Sequence, residues 1–434
     1  MPRLVLSALV ATLWHVWVGG SLTMRHNEQP RLPALAVDPE RVSIGGISTG
    51  ADLAANYLLA HSASTCGAAI WAGNAPRCAV TRFAQDVLHK CRDKAACTWP
   101  ACDASVRPCP AGYRLDPSKC QGPCPGPFVP HAGDPSRFVG RSIHAQNVTE
   151  LQAVARRRAA AGKIDDPDRF LKRRRLFAYR GAKDTCYLRG AVDHTASFFE
   201  GFDATVAFVN STIGSRHAIP TVATGAPCGE AGRYGDEGAP FGLEACGYDG
   251  AGASLAHIYG VPRAAPSRFE PSSLSRFSQH EFGGRTAGLD LDAGGFLYAP
   301  RACRQAARAA ASGSADGAAP RPPPCGLHVF VHGCDMEAGA GPTRYTFNDT
   351  FARRAGFNEW AVAHHVAVVY PQLASRGDGR PTCWDVMGRT GDNYSDRGGM
   401  HVRALRQMVK RLLELPSLGA NLTKGPVFSS VHRI

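Results

Sequence analysis

Apolar and polar positions alternate along this chain in two periods. "RVSIGG" spaces Val42 and Ile44 two apart, which predicts a short strand. "ADLAANYLLAHSA" then sets Leu53, Tyr57 and Ala60 on one face of a helix, with Ala54 and Leu58 beside it. "AAIWAG", from Ala68 to Gly73, reads as a buried strand. After a long irregular stretch the alternation resumes. Strands are expected in "RRLFAYRGAKD", ending near Gly181, around Ala204 to Val209, in "GLHVFVHGCDM" and in "VAVVYPQL". "YTFNDTFARRAGFNEWAVAHH" predicts one amphipathic helix with Phe347, Phe351 and Ala355 inward. "GGMHVRALRQMVKRLLEL" predicts another, with Val402, Leu405, Val409 and Leu412 inward. Strands alternating with helices imply an α/β fold with a mostly parallel sheet covered on both faces. Residues 305–323, rich in Ala, Gly and Pro, read as a flexible loop.

Between residues 78 and 135 the periodicity disappears. Seven cysteines fall between Cys78 and Cys124 among many prolines. The spacing Cys120-x3-Cys124 suits zinc, whereas an oxidising compartment suits a disulfide-stapled insertion. A polar helical stretch, "ELQAVARRRAAAGK", follows. The first residues read as a secretory leader: an early arginine, an apolar run from Leu4 to about Val18, then small residues. A signal anchor is the alternative reading. Fifteen cysteines and five N-x-S/T sequons, at Asn147, Asn210, Asn348, Asn393 and Asn421, agree with a secreted, extracellular protein. With the leader removed, no stable membrane insertion is expected. The expected organisation is a leader over 1–24, a catalytic domain over 37–78 and 172–415, a Cys-rich insertion with the polar helix over 79–171, and a tail over 416–434.

The formal charge is +13, with scattered arginines and one dense patch, "LKRRRLF". No nucleic-acid-binding module accompanies it, so it reads as a solvated flank leading into a strand, and no nucleic-acid partner is expected.

The chemistry enters at Gly46-Ile47-Ser48-Thr49-Gly50. This G-x-S-x-G sits between a predicted strand and a predicted helix, the setting of a nucleophile elbow. Serine needs an adjacent base, usually a histidine oriented by a carboxylate. In α/β-hydrolases the acid and then the base follow the serine in the chain. Asp184, just past the strand "LFAYRG", and His217, just past "ATVAFV", fit that order. Asp193 rivals the first; His194 and His257 rival the second. His332, His364 and His365 read as structural. An oxyanion hole needs the Thr49 N–H and a second N–H from a loop after a neighbouring strand. The only such turn is "HVFVHGC", which follows the serine, acid and base in the chain. A circularly permuted strand order would close that geometry.

Several motifs together resemble the fungal-type, single-domain extracellular poly(3-hydroxybutyrate) depolymerases. They are "GISTGADLAANYLLAHS", "WAGNAPRCA", "YRGAKDT", "SRHAIPT", "CGYDGAGASLAHIYG", "GFLYAPRAC", "LHVFVHGC", "GFNEWAVAHHVAVVYPQ" and "CWDVMGRTG". They occur in the family's order over roughly residues 40–78 and 172–412. The resemblance implies a circularly permuted α/β-hydrolase fold and a serine esterase acting on a polyester or small-ester substrate, with no metal or organic cofactor. It implies Ser48 as nucleophile, Asp184 as acid, His217 as base, and the N–H groups of Thr49 and Cys334 as oxyanion hole. It further implies Trp384 at the substrate cleft, and the disulfides Cys228–Cys246, Cys303–Cys325 and Cys334–Cys383. The chain departs from the family at Ala51, where a second glycine is usual, and at Val386-Met387-Gly388-Arg389, where the family is rich in aromatics. The insertion is also larger than the family leads one to expect.

Overall fold

The computed structural model describes residues 29–78, 148–184, 187, 191–232, 236, 238–312, 322–339, 348–375, 382–386 and 388–416, together with four two- or three-residue strands between 97 and 130. The leader, most of the Cys-rich stretch, Asn147, Asn421 and residues 313–321 lie outside the described residues.

An eight-stranded sheet organises the chain. Its strands are β1 (Val42–Ile47), β2 (Gly67–Trp71), β3 (Arg175–Arg180), β4 (Thr205–Asn210), β5 (Leu274–Ser278), β6 (Gly294–Tyr298), β7 (Gly326–Val331) and β8 (Val366–Tyr370). Their spatial order is β5-β6-β8-β7-β1-β2-β3-β4. Every pairing is parallel except the two made by β6. The first strand in sequence is therefore central in space, paired on one side with β2 and on the other with β7, nearly 300 residues later. This is an α/β-hydrolase sheet with a permuted chain order: β5 to β8 take the places of the N-terminal strands of the unpermuted fold.

All residues of β1, β2, β7 and β8 are buried, as parallel strands covered on both faces require. Alternation within them divides two cores. Ile44, Ala68, Ile70, Val329 and Val331 face one layer. Ile47, Ala69, Trp71, Phe330 and Tyr370 face the other. The first layer is covered by α1 (Thr49–Ala60), α2 (Val148–Ala160), α3 (Ala191–Glu200) and by the C-terminal helix Met400–Leu413, which turns Val402, Leu405, Val409 and Leu412 inward. The opposite face is covered by α4 (Gly250–Tyr259) and by a helix over Phe357–His364. Leu151, Ala155, Ile164 and Leu171 join the first core, so the polar helix and the segment after it pack against the main sheet's own layer.

Two expectations fail locally. Tyr345 and Phe347 lie outside the described residues; the rest of the expected long helix is two pieces, Thr350–Arg354 and Phe357–His364, because Gly356 between them has φ +89°. The loop expected from residue 305 is helical through Ala311: "RACRQAARAAA" is built of strong helix formers, and α5 (Arg301–Ala311) is anchored to the start of β7 by the Cys303–Cys325 disulfide. Among the described residues no helix is long and apolar enough to cross a membrane.

Candidate active site

β1 delivers the chain to Ser48, which has φ +60° and ψ −129°, and α1 starts at the next residue. A non-glycine residue held there stores roughly 1–3 kcal/mol of strain, which the surrounding packing must offset. The two glycines of the motif are steric requirements. A Cβ on Gly50 would stand 2.2 Å from the Val331 carbonyl oxygen and 2.3 Å from that of His332. One on Gly46 would stand 2.4 Å from the Gly50 backbone. Their bareness lets the end of β7 close over the elbow. Ala51, the departure from the family pattern, has a counterpart: a Cβ on Gly73 would lie 2.6 Å from the Ala51 methyl, so the missing side chain at 73 makes room for the one present at 51.

Asp184 follows β3 and His217 follows β4. The His217 Nδ1–H donates to Asp184 Oδ2 at 2.9 Å, which leaves Nε2 as the basic nitrogen. The other carboxylate oxygen accepts the Tyr187 N–H at 3.0 Å. Both loops are braced from below. The buried Arg180 guanidinium donates to the carbonyls of Asp184 and Tyr187 and to Ser211 Oγ. Glu244 accepts the Arg216 N–H on both oxygens, at 3.1 Å each, and the Gly229 N–H at 2.6 Å. Burial pushes the Glu244 carboxyl above its usual range. The Cys228–Cys246 disulfide closes the same loop. Neither Arg180 nor Glu244 carried any sequence signal.

The rival residues lie elsewhere. Asp193 sits on α3, where its Oδ1 accepts from Asn210 Nδ2 at 2.8 Å. His257 Nε2 hydrogen-bonds the Thr205 carbonyl, and His365 Nε2 that of Pro323. Of the sequon asparagines described, Asn348 and Asn393 are exposed, while Asn210 is half-buried with its side chain held by Asp193 and Ser211.

The side expected to form the oxyanion hole is built by β7. Gly46 of β1 pairs with Val331, so His332-Gly333-Cys334 passes directly over the serine. A Cβ on Gly333 would be 3.0 Å from the Ser48 Cβ. Cys334 is bonded to Cys383. The Thr49 hydroxyl donates to the Cys334 sulfur at 3.1 Å, linking the residues expected to supply the two donors. Among the described residues no hydrogen bond occupies the N–H of either. His332 is a buried brace: its Nδ1–H donates to the Gly333 carbonyl, and Nε2 accepts the Leu373 N–H. Burial lowers its pKa to about 4, which keeps that tautomer neutral. Trp384, expected at the substrate cleft, is buried (1% exposed), packs between His332 and His401, and donates its indole N–H to the His332 carbonyl at 3.0 Å. It thereby braces the loop that passes over Ser48.

Behind the serine lies a second carboxylate that sequence reasoning missed. Asp52, one turn into α1, accepts the N–H of Asn74, its Nδ2 at 3.0 Å and the Tyr187 hydroxyl at 3.1 Å. Burial pushes its pKa up to about 6, against the lowering by those hydrogen bonds. Two clusters, Cys303/Cys325/His365 and Cys228/Glu244/Cys246, have metal-like spacing, but their sulfurs are disulfide-bonded.

No known family model matches the chain. It is 26% identical over 387 residues to a poly(3-hydroxybutyrate) depolymerase of Delftia acidovorans; the match covers 88% of this chain but 61% of that protein's length. It is 24% identical over 404 residues to a polyhydroxybutyrate depolymerase of Talaromyces funiculosus, covering 88% and 92%. The crystal structure of a PHB depolymerase from Penicillium funiculosum superposes with a TM-score of 0.58 at 22% identity, covering 88% of this chain and 98% of that one. A serine-to-alanine form of a PHB depolymerase, complexed with an R3HB trimer, gives the same TM-score at 21% identity. The chain thus shares its fold with solved PHB depolymerases and is similar in sequence, over most of its length, to polyhydroxybutyrate depolymerases.

Proposed function

We propose that the protein is a secreted serine esterase that hydrolyses polyhydroxyalkanoate, poly(3-hydroxybutyrate) in particular, or its short oligomers. The observation that carries this reading is the convergence of a strained Ser48 at an elbow, a hydrogen-bonded His217–Asp184 pair and the Cys334 loop closing over the serine. Similarity to depolymerases, one relative being bound to an R3HB trimer, supplies the substrate class.

In this mechanism Ser48 Oγ attacks an ester carbonyl while His217 Nε2 takes its proton. Asp184 holds the imidazole in the tautomer that leaves Nε2 free and stabilises the imidazolium. The carbonyl oxygen, now negative, receives the N–H groups of Thr49 and Cys334, whose positions are fixed before reaction. The imidazolium gives its proton to the leaving hydroxyl, and water deacylates the serine by the reverse sequence. The resting enzyme has no Ser48–His217 hydrogen bond among the described residues; such contacts often tighten only with substrate bound.

One observation favours soluble esters over solid polymer. The exposed large apolar side chains among the described residues are Val222, Val261, Val362 and Leu415, with no aromatic among them. Oligomers or other small carboxylic esters therefore suit this surface better than a crystalline polyester. The leader, the sequons and three disulfides support secretion.

The test pairs acid release from a soluble 3-hydroxybutyrate oligomer with clearing of a polymer suspension, for the wild type and Ser48→Ala. Both activities in the wild type and neither in the variant establish the depolymerase. Oligomer cleavage alone establishes an esterase of other natural substrate. The absence of both activities from a folded wild type would favour the alternative, a catalytically silent secreted binding protein.

A further inference from the structure

Tyr187 touches every member of the Ser48, His217 and Asp184 set. Its N–H donates to Asp184 Oδ1 at 3.0 Å. Its ring lies parallel to the His217 imidazole, 2° between planes and 5.4 Å between centroids. Its hydroxyl donates to Asp52 Oδ2 at 3.1 Å, and its oxygen interacts with the Ser48 side chain. The residue is wholly buried, and Arg180 fixes its carbonyl.

A tyrosine retained only for packing has no need of a carboxylate. Burying Asp52 is costly, and among the described residues it forms no ion pair that would offset this; only neutral donors meet it. The carboxylate accepts the tyrosine O–H hydrogen bond, so the lone pairs of the phenol oxygen are left to accept from Ser48. The serine hydroxyl is thereby oriented before the base removes its proton, while the parallel ring holds the imidazole plane. Asp52 lies in the first turn of the helix that Ser48 caps, and its N–H donates to the Ser48 carbonyl at 3.0 Å, which ties the group that anchors the tyrosine to the serine backbone.

We infer that Tyr187, anchored by Asp52, is a positioning residue that presets the Ser48 hydroxyl and the plane of His217. This rests on the serine-esterase reading.

The test uses the full chain as wild type, Ser48→Ala, Tyr187→Phe and Tyr187→Leu. Three quantities are read: kcat and KM on a soluble 3-hydroxybutyrate oligomer, the rate at which a fluorophosphonate labels Ser48, and the thermal midpoint. Tyr187→Phe keeps the ring and loses the hydroxyl; it should lower both kcat and labelling rate about tenfold, with KM and midpoint near wild type. Tyr187→Leu loses both and should fall about a hundredfold, so that phenylalanine restores part of what leucine removes. Wild-type kcat and labelling in Tyr187→Phe overturn the inference, as does a loss that only follows the thermal midpoint or KM. If the oligomer is not cut but Ser48 is labelled, the substrate reading fails while the labelling rates still decide the role of Tyr187. If Ser48 in the folded wild type is never labelled, both fail.

Discussion

The two sides of Ser48 are held by different means. The proposed oxyanion side is fixed covalently and by backbone packing: Cys334–Cys383 ties the loop down, Trp384 and His332 fill the space behind it, and Gly50 lets the Val331 and His332 carbonyls press on the elbow. The acid–base side is held by hydrogen bonds alone at its centre, from Arg180 beneath Asp184 and Glu244 beneath the His217 loop, with its disulfide one loop further out at Cys228–Cys246. The difference matches the work each side has to do. Donors to an oxyanion act best as fixed dipoles that need no reorganisation. A base must pass a proton from serine to leaving group, so its ring needs orientation without being locked.

The largest effect should follow from the acid. Asp184→Asn should lower kcat about 10,000-fold by favouring the wrong imidazole tautomer, whereas Asp193→Asn should leave kcat within about twofold. Ester hydrolysis by the two variants separates them; full activity in Asp184→Asn, with loss in Asp193→Asn, would reverse the assignment. Next comes the covalent tie. Removing it with the pair Cys334→Ala and Cys383→Ala frees one oxyanion donor, and kcat should fall roughly 100- to 1,000-fold with KM little changed. The same pair should also cost about 2–5 kcal/mol of stability by denaturant unfolding. A smaller effect is expected on the hydrogen-bonded side. Glu244→Gln keeps the shape but weakens its bonds to the Arg216 and Gly229 N–H groups, the first of them next to His217, and about a tenfold loss of kcat is expected. A loss equal to that of Asp184→Asn would mean that this loop has no other support.

The weakest effect is on stability rather than rate. Burial lowers the pKa of His61 and His328 to about 3 and that of His332 to about 4, from 6.5 when unfolded. Below pH 6.5 the unfolded chain therefore binds protons that these folded histidines refuse. The stability they contribute is present above that pH and is lost as pH falls from there to about 4 for His332 and about 3 for His61 and His328. Each adds a slope of up to about 1.4 kcal/mol per pH unit. Urea midpoints measured between pH 7 and 5 should fall, and His328→Asn should make the fall shallower.

Much of this site could be read in one dimension because its chemistry lies at the ends of strands. The strand–serine–helix context of residues 42–60, the order Ser48, Asp184, His217 and the late "HGC" turn all mark the same edge of the sheet, and the permuted strand order brings them to it. What was missed has no such marker. Asp52 is a helix residue like many others until Tyr187, 135 positions later, reaches its carboxylate. Glu244 lies on a three-residue strand, and its role depends on two N–H groups from other segments. Trp384 was placed at the cleft by the family resemblance alone; that its indole N–H reaches the His332 carbonyl carried no sequence signal. The break at Gly356 was legible, since glycine between two apolar runs is a helix-ending signal; the apolar period masked it.

The central claim is that Ser48 is an activated nucleophile. It is tested most directly by mass analysis of the peptide carrying Ser48 after exposure of the folded protein to a fluorophosphonate, with hydrolysis of a 3-hydroxybutyrate oligomer followed in parallel. One adduct on Ser48, with loss of ester hydrolysis in step with labelling, is the result expected. A folded protein that hydrolyses the ester while Ser48 remains unmodified would contradict it.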